Sequence, residues 1–394
     1  MEDQSLIYEF NSRNYDASLT TCNIGLPAGT YYYRSESYYD SYSAELYTFR
    51  INYNASANWE TEKNDTLLSA DQIGVNVENY GAIHEKGGRD WYKFSIPSDG
   101  YISITFLHQM VEYGIWNISL YYEPDNKLFE IYSRNYDETK TSCNIGLPAG
   151  DYYIRIGNDS YSSCSDVDYS LKINYVATAG WETEPNNSYV TADACAVGVP
   201  INGSIMPGGD IDRYVLDVPQ AGYYSINFVH SAVESGTWEL NICDSNEKGI
   251  DSFYSRNSDT SKTKSFVYLN AGRNYVVVRS TSSQDYCDVD YTLTVTPSVI
   301  QNVQISKVTK PKKKQLRVAW KKVSGVSGYE ISIAKNKKFT KGVKTVNVVV
   351  SKSKYTFKKL KSKKTYYVRM RAYVLEDNKY YYGEYSTCKK IKVK

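Results

Sequence analysis

The chain has 394 residues, including 41 Tyr and 24 Gly against 10 Pro and four Met, and a formal net charge of +2. That length is enough for two to four domains. No apolar run approaches the roughly 20 residues of a membrane-spanning helix, and no stretch has the period of a long amphipathic helix. We therefore expect neither a membrane span nor a helical bundle. Short alternating runs of Tyr, Val, Ile and Thr instead predict β-strands.

The nearly neutral total hides a charge asymmetry along the chain. Residues 301–394 carry 27 Lys and Arg against four Asp and Glu, a net charge of +23, which leaves −21 for residues 1–300. A basic module of this kind can bind an anionic cell-wall polymer or nucleic acid, and it can equally be a solvated Lys-rich surface. The solvated surface is the favoured interpretation. If the module has a binding role, the partner that we expect is an anionic cell-wall polymer and not nucleic acid.

Residues 1–53, here called repeat 1, read as the second half of a unit that recurs along the chain. The segment Cys22–Gly29 returns as Cys143–Gly150, and a looser third copy has Ser265 in place of the cysteine. An aromatic strand follows the Ala-Gly pair of each copy and is predicted at Tyr31–Tyr33 in repeat 1. Since repeat 1 lacks the early strands, we expect an unpaired sheet edge. No signal peptide opens the chain, which starts in mid-repeat sequence, so we expect a fragment of a longer protein.

Two complete copies follow, repeat 2 at residues 59–175 and repeat 3 at residues 181–296. Their opening tryptophans, Trp59 and Trp181, lie 122 residues apart, and a short linker of small and polar residues precedes each. Each copy contains about eight short alternating segments separated by turn signals, which is the pattern of a β-sandwich. About 115 residues are ample for an independent hydrophobic core.

Each complete repeat opens with an acidic arm. In repeat 3 the arm supplies Glu182 and Glu184, and a later turn supplies Asp210 and Asp212. Side chains two residues apart in an extended segment point to the same face, so each pair points one way. Four carboxylates gathered at one place need raised pKa values or a cation, and calcium takes six to eight oxygen ligands. The pattern predicts a calcium site, with a solvated acidic linker as the alternative.

The order of the motifs resembles that of a known bacterial family. After the arm come Gly203–Ile205, Gly209–Tyr214, Ala221–Tyr223 and Leu269–Gly272, the last before a Tyr strand. In this order they resemble the bacterial pre-peptidase C-terminal domain, to which the collagen-binding domains of clostridial collagenases are related. The resemblance covers repeats 2 and 3 and the half copy. It implies jelly-roll-like sandwiches at the ends of secreted proteases and other exported enzymes, several of which bind calcium at the N-terminal arm.

The resemblance also implies a set of calcium ligands in each complete repeat, with backbone carbonyls completing the shell. In repeat 3 the implied ligands are Glu182, Glu184, Asn186, Asn187, Asp210 and Asp212. In repeat 2 they are Glu60, Glu62, Asn64, Asp65 and Asp90. Gly88 of repeat 2 stands where repeat 3 has Asp210. Because the number of charged ligands tunes calcium affinity, the site in repeat 2 should be the weaker one.

Residues 300–394, the C-terminal module, resemble a fibronectin type III domain, an immunoglobulin-like sandwich. Leu316–Trp320 would be its second strand and would carry the core Trp, and Gly328–Ile333 would be the next strand. Leu360–Tyr366 fits the tyrosine corner, in which a Tyr hydroxyl bonds to the backbone a few residues upstream. The module is similar to Lys-rich versions that trail surface proteins of anaerobic Firmicutes.

A second polar pattern recurs in the complete repeats, a His followed four residues later by a Glu and then by a Trp. It comprises His108 and Glu112 in repeat 2, and His230 and Glu234 in repeat 3. The pattern is compatible with a polar pocket, and more simply with a structural connection that packs the Trp against a sheet. No nucleophile elbow, phosphate loop or metalloprotease helix occurs, so we expect no catalysis.

The seven cysteines show neither a disulfide framework nor the spacing of a metal site. Cys195 and Cys243 align with Ile73 and Tyr121 of repeat 2, which predicts core positions. A Cys143–Cys164 bridge is an open alternative.

These features predict an all-β chain of tandem jelly-roll-like β-sandwiches followed by a fibronectin type III module. The function that we expect is non-catalytic, a calcium-stabilised region for adhesion or substrate targeting in a secreted or cell-surface bacterial protein. Its partner would be an extracellular polysaccharide or a matrix protein, and the sequence does not specify which. The alternatives are a structural stalk for an upstream enzyme domain and, less favoured, an enzyme that uses the repeated His and Glu.

Overall fold

The predicted all-β fold is confirmed. The residues that the computed structural model describes form 27 strands and one short 3-10 helix, Leu67–Ser69, and none of them lies in an α-helix. Within the same part of the chain, nothing helical is long and apolar enough to span a membrane. The structure describes residues 6–13, 16–37, 45–84, 87–110, 114–158, 167–206, 209–281 and 289–394. Glu112 and Cys164, named in two of the sequence hypotheses, lie outside these ranges.

Repeat 2 folds into two facing sheets. One has the strand order β1-β3-β9-β5-β6, and the other has β2-β10-β4, with β7 and β8 both paired to β4. Pairing is antiparallel except between β1 and β3. The strands are β1 Asp71–Gln72, β2 Glu78–Gly81, β3 Arg89–Ile96, β4 Gly100–His108, β5 Ile115–Glu123, β6 Asn126–Arg134, β7 Thr139–Thr141, β8 Ile145–Leu147, β9 Gly150–Asn158 and β10 Tyr169–Ala177.

Repeat 3 repeats this architecture. Its sheets have the orders β11-β13-β18-β15-β16 and β12-β19-β14-β17, and β11 runs parallel to β13 as β1 does to β3. The strands are β11 Asp193–Cys195, β12 Ile201–Gly203, β13 Ile211–Val218, β14 Gly222–His230, β15 Thr237–Cys243, β16 Gly249–Arg256, β17 Ser261–Leu269, β18 Gly272–Ser280 and β19 Tyr291–Pro297.

The core between the sheets follows from strand alternation. In β4 of repeat 2, every second side chain (Ile102, Ile104 and Phe106) is fully buried. Successive residues of a strand point to opposite faces, so one face meets the facing sheet. The predicted core positions Cys195 and Cys243 are confirmed, with 4% and 5% of their surface exposed.

Repeat 1 does not form the strand predicted at Tyr31–Tyr33, and none of its described residues lies in a strand. That prediction is wrong, and with it the expected sheet edge. In repeat 2 the corresponding strand, β9, is paired on both sides, by β3 and β5. Residues 1–53 contain no counterparts of β3 or β5, so an isolated strand here would leave its backbone groups without partners.

The chain divides into two compact units. One comprises Met1–Ala221, Ile226–Lys264 and Leu269–Val295, and the other comprises Gly222–Ser225, Ser265–Tyr268 and Thr296–Lys394.

The C-terminal module has the fibronectin type III arrangement. Its two sheets have the orders β20-β21-β24 and β23-β22-β25-β26, with β27 also paired to β25. The predicted tyrosine corner is present, because the Tyr366 hydroxyl accepts a hydrogen bond from Lys361 N–H at 3.1 Å. The predicted core Trp320 is 4% exposed. The strands are β20 Ile305–Thr309, β21 Leu316–Trp320, β22 Gly328–Ala334, β23 Lys344–Val349, β24 Lys354–Phe357, β25 Thr365–Glu376, β26 Lys379–Tyr382 and β27 Lys389–Lys392.

Candidate metal centre

The acidic arm of repeat 3 closes one end of its sandwich. Glu182 N–H donates to Asn202 O at 2.9 Å, which aligns the arm with β12. Thr183 N–H donates to the Asp193 carboxylate at 2.7 Å, which holds the arm near β11. The Glu182 side chain can therefore turn inward between the two sheets, where it is 2% exposed.

Glu182 accepts several hydrogen bonds inside the sandwich. Its Oε1 accepts from Ser204 N–H at 2.7 Å, its Oε2 accepts from the Tyr214 hydroxyl at 2.8 Å, and the Tyr291 hydroxyl lies 3.3 Å from the same Oε2. A Cβ on Gly203 would lie 2.6 Å from the same Oε2. Only glycine leaves room for the carboxylate at that point of β12.

Three buried carboxylates converge at this end of repeat 3. Ligand oxygens of Glu182, Glu184 and Asp212 all lie within 4.8 Å of one another. Asp212, on β13, is fully buried and accepts a short hydrogen bond from the Tyr291 hydroxyl. Asn186 is fully buried as well and donates to Glu182 Oε2 at 3.3 Å.

Among the residues that the structure describes, three oxygens of this cluster find no hydrogen-bond donor. They are Glu184 Oε1, Asn186 Oδ1 and Asp212 Oδ1, all buried. Buried acceptors of this kind carry a desolvation cost that is normally relieved by a partner. Because all three are oxygens and two belong to carboxylates, the missing partner fits a hard cation.

The pKa values of the clustered carboxylates also fit a site for a cation. Burial, followed by the negative charge of Asp210, raises the pKa of Glu182 to about 8. Burial and the neighbouring carboxylates also raise the pKa values of Glu184 and Asp212 well above their usual range. Without a cation, the folded protein can keep these groups buried only by holding protons on them.

Asp210 and Asn187, also implied ligands, flank this cluster. The two oxygens of Asp210 already accept from Met206 N–H and Ile211 N–H, each at 2.8 Å. Asn187 Oδ1 accepts from Ile211 N–H at 2.7 Å. A carboxylate oxygen has a second lone pair, so these bonds leave Asp210 able to bind a cation.

Beside the site, Glu184, Pro185 and Asn187 line one side of a cleft of about 330 Å³. The hairpin between β5 and β6 of repeat 2 lines the other side, with Tyr122, Asp125, Asn126, Lys127 and Leu128.

Repeat 2 brings together Glu60, Asn64 and Asp90, the equivalents of Glu182, Asn186 and Asp212. Glu60 Oε1 accepts from Ala82 N–H at 2.6 Å, and its Oε2 accepts from the Tyr92 hydroxyl at 2.7 Å. Asp90 accepts from the Tyr169 hydroxyl, and the buried Asn64 Oδ1 has no donor among the described residues. Burial is the main cause that raises the pKa of Glu60 to about 7 and that of Asp90 well above its usual range.

His84 distinguishes repeat 2 from repeat 3, where Met206 is its equivalent. Its Nε2 lies 3.1 Å from Glu62 Oε1, and its Nδ1 lies 3.3 Å from the sulfur of Cys22. Burial lowers the pKa of His84, but the Cys22 thiol and the Glu62 carboxylate outweigh it and raise the value to about 10. Glu62, an implied ligand, thus faces a cationic side chain, and Asp65 remains half-buried outside the group formed by Glu60, Glu62 and His84.

Sequence reasoning missed several residues of the two sites. Each site is closed by one further aspartate, Asp71 or Asp193, which anchors the arm backbone. Each also contains a pair of mutually bonded tyrosines, Tyr92 with Tyr169 and Tyr214 with Tyr291. Members of each equivalent pair lie 122 residues apart, so alignment of the two repeats would have revealed them.

The repeated histidines are structural. His230 is 4% exposed, its Nε2 lies 2.8 Å from Ser255 Oγ, and its ring packs against that of Trp238 with 3.9 Å between the ring centroids. His108 makes the same contacts with Ser133 and Trp116. Both ring nitrogens are engaged in each case, and Glu234 is exposed, so the structure supports the packing interpretation.

Comparisons with known proteins identify no family for the chain. No family profile matches, and no curated protein matches significantly. Three of the similar solved structures each cover 24% of this chain. A structure described as a myokine has 19% identity, 98% of its length covered and a TM-score of 0.20. The fn3 domain of human collagen alpha-1(XX) has 18% identity, 87% of its length covered and a TM-score of 0.21. A redesigned β-sandwich protein has 18% identity, 96% of its length covered and a TM-score of 0.20.

Proposed function

We propose that the chain is a non-catalytic, calcium-stabilised binding region of a secreted or cell-surface bacterial protein, built from sandwiches of the pre-peptidase C-terminal type. The observation that supports this most strongly is the cluster of Glu182, Glu184 and Asp212, together with three buried oxygens that find no donor in the described part of the chain. A calcium ion would neutralise the carboxylates and supply a partner to those oxygens. The residues that would hold it are Glu182, Glu184, Asn186 and Asp212, joined by Asp210 and Asn187 at the rim.

The donor set favours calcium over other cations. All the side-chain atoms of the repeat 3 cluster that could bind a metal are carboxylate or amide oxygens, which suit hard cations. Zinc sites in proteins, by contrast, usually include Cys or His. Magnesium demands near-ideal octahedral geometry and keeps several waters. A cluster fixed at one sandwich end by tyrosines and backbone amides suits a larger ion with flexible coordination.

Calcium binding is tested most directly by calorimetry on the calcium-free full chain. We expect saturable heat with one strong site, assigned to repeat 3. The second site should be weaker or absent, because repeat 2 has Gly88 where repeat 3 has the ligand Asp210, and His84 where repeat 3 has the neutral Met206. The melting temperature should rise with calcium concentration, since an ion that binds only the native state stabilises it. Absence of both heat and any melting change on chelation would reject the proposal.

The basic C-terminal module supports a second interaction, with an anionic wall polymer. Its net charge of +23 should attract such a polymer at low ionic strength. We expect the full chain to be retained on an anionic wall polymer at low salt and released at about 0.5 M salt, where charges are screened within a few ångströms. A chain ending at residue 299 should pass through, and equal retention of both chains would contradict this role.

One observation favours the alternative of a structural stalk. The junction between repeats 1 and 2 and that between repeats 2 and 3 use equivalent backbone contacts, from Glu62 N–H to Gly25 O at 3.0 Å and from Glu184 N–H to Gly146 O at 2.9 Å. A spacer needs such repeated junctions. An adhesion role instead needs a ligand, whose weak single-site affinity repeated modules would raise by avidity. Binding to an array of polysaccharides and matrix proteins separates the two.

A further inference from the structure

A short segment of repeat 2, the Asn-Ile-Gly segment Asn144–Gly146, contacts the arm of repeat 3. Gly146 O accepts from Glu184 N–H, and Asn144 Nδ2 donates to the Asp290 carboxylate at 2.8 Å. The Ser204 hydroxyl donates to Asn144 O. A Cβ on Gly146 would lie 2.0 Å from Glu182 O, a distance that no side chain can occupy, so this contact requires glycine.

Apolar packing joins the same junction. Met206 of repeat 3 is 4% exposed and belongs to the hydrophobic core of repeat 2, where Cys143 also packs. Met206 and Cys143 therefore belong to one apolar cluster, which spans the junction between repeats 2 and 3. The contact combines a backbone hydrogen bond, a side-chain bond and buried apolar surface.

The junction between repeats 1 and 2 uses the equivalent atoms. Asn23 Nδ2 donates to the Asp168 carboxylate at 2.6 Å, as Asn144 does to Asp290. A Cβ on Gly25 would lie 1.7 Å from Glu60 O. The interaction thus occurs even though repeat 1 has no strands in its described residues, so it depends on the segment rather than on an intact sandwich.

The third copy of the segment has lost these features. Repeat 3 has Phe266 where the other copies have Asn, and Tyr268 where they have Gly. The side chain of Tyr268 is 49% exposed. No Trp-Glu-Thr-Glu arm follows repeat 3 in this sequence. The substitutions therefore coincide with the absence of an arm to receive.

We propose that the Asn-Ile-Gly segment is a docking surface for the acidic arm of a following repeat, and that Tyr268 closes this surface in repeat 3. The partner is the arm of the next repeat in the same chain. It is recognised through a backbone N–H of the arm, that of Glu62 or Glu184, and through a carboxylate later in the same repeat, that of Asp168 or Asp290. With glycine at this position, a repeat has room for the arm of the repeat that follows it. A tyrosine at this position excludes the arm by occupying the volume in which its backbone would lie.

Amide hydrogen exchange at single-residue resolution tests the proposal in the full chain. Glu184 N–H bonds to repeat 2, whereas Glu182 N–H bonds to Asn202 within repeat 3. Gly146→Ala should speed exchange at Glu184 by about fivefold or more, as expected for loss of one hydrogen bond, with little change at core amides of β13. The exchange is measured in chelator, so the result does not depend on the calcium proposal.

Two further variants fix the interpretation. Gly249→Ala is the matched control, because nothing lies within 4 Å of a Cβ built there, and it should leave Glu184 exchange unchanged. Asn144→Ala introduces no clash, removes only the bond to Asp290, and should give a smaller increase; it decides the matter if Gly146→Ala fails to fold. Glu184 exchange equal to wild type in a folded Gly146→Ala chain, or in Asn144→Ala if that is the folded variant, overturns the docking surface.

Discussion

Replacing Asp212 with Asn should abolish most of the calcium-dependent rise in the melting temperature of repeat 3 and should stabilise the same repeat in chelator at pH 8. Asn has nearly the same size and still accepts a hydrogen bond from the Tyr291 hydroxyl. It lacks the charge that attracts the ion and repels Glu182 and Glu184. A ligand at 100 times its Kd stabilises by about 2.7 kcal/mol, whereas a variant with about 100-fold weaker binding keeps only ~0.4 kcal/mol.

The two expected effects of Asp212→Asn have opposite signs, because the variant loses stabilisation by calcium and gains stability in chelator. Calorimetric melting with and without calcium gives both quantities for each protein. Asp217→Asn is the matched control, because Asp217 lies on the same strand, β13, but is exposed, and it should behave as the wild type. If Asp212→Asn melts lower than wild type in chelator and retains the full calcium shift, the carboxylate cluster is not the calcium site.

In the absence of calcium, the stability of repeat 3 should fall as the pH rises from about 4.5 to about 8. The pKa of Glu182 is raised from its ordinary value of 4.5 to about 8, chiefly by burial. In this window the unfolded chain has lost the proton and the folded chain still holds it, so rising pH favours unfolding. Below pH 4.5 both states are protonated and the effect vanishes.

Calcium should reverse this trend, because binding requires the deprotonated carboxylates and therefore strengthens as the pH rises. The melting temperature of repeat 3 in chelator should be lower at pH 8 than at pH 5, with the difference reduced or inverted by calcium. Glu182→Gln should flatten the dependence in chelator, since glutamine does not titrate. A melting temperature that rises from pH 5 to pH 8 in chelator would contradict the buried, protonated state.

The sequence predicted the architecture because its information is local and repeated. Strand alternation places Ile102, Ile104 and Phe106 inside without knowledge of their partners. The arm at Glu182 and Glu184 is recognisable because it stands in both complete repeats. The tyrosine corner at Tyr366 could be placed because it depends on a few residues of one turn.

The remainder depends on residues far apart in the chain. No local pattern shows that Tyr291 reaches Asp212, which lies 79 residues earlier, or that His84 faces both Glu62 and Cys22. The missing strand at Tyr31–Tyr33 has the same cause, because a strand forms only when neighbouring strands pair with it. Which oxygens lack a donor depends on the whole fold, and that is the feature on which the metal proposal is based.

The spacing of the junction contacts makes the number of sandwiches adjustable in whole units. Gly25 and Gly146 lie 121 residues apart, and the arms that they receive lie 122 residues apart. Removing residues 54–175 in frame would therefore present the Gly25 segment to the Glu184 arm, with the same backbone atoms available on both sides. Inserting a further copy would create one more junction of the same kind. The length of the array can thus change by recombination between copies without new surfaces having to arise.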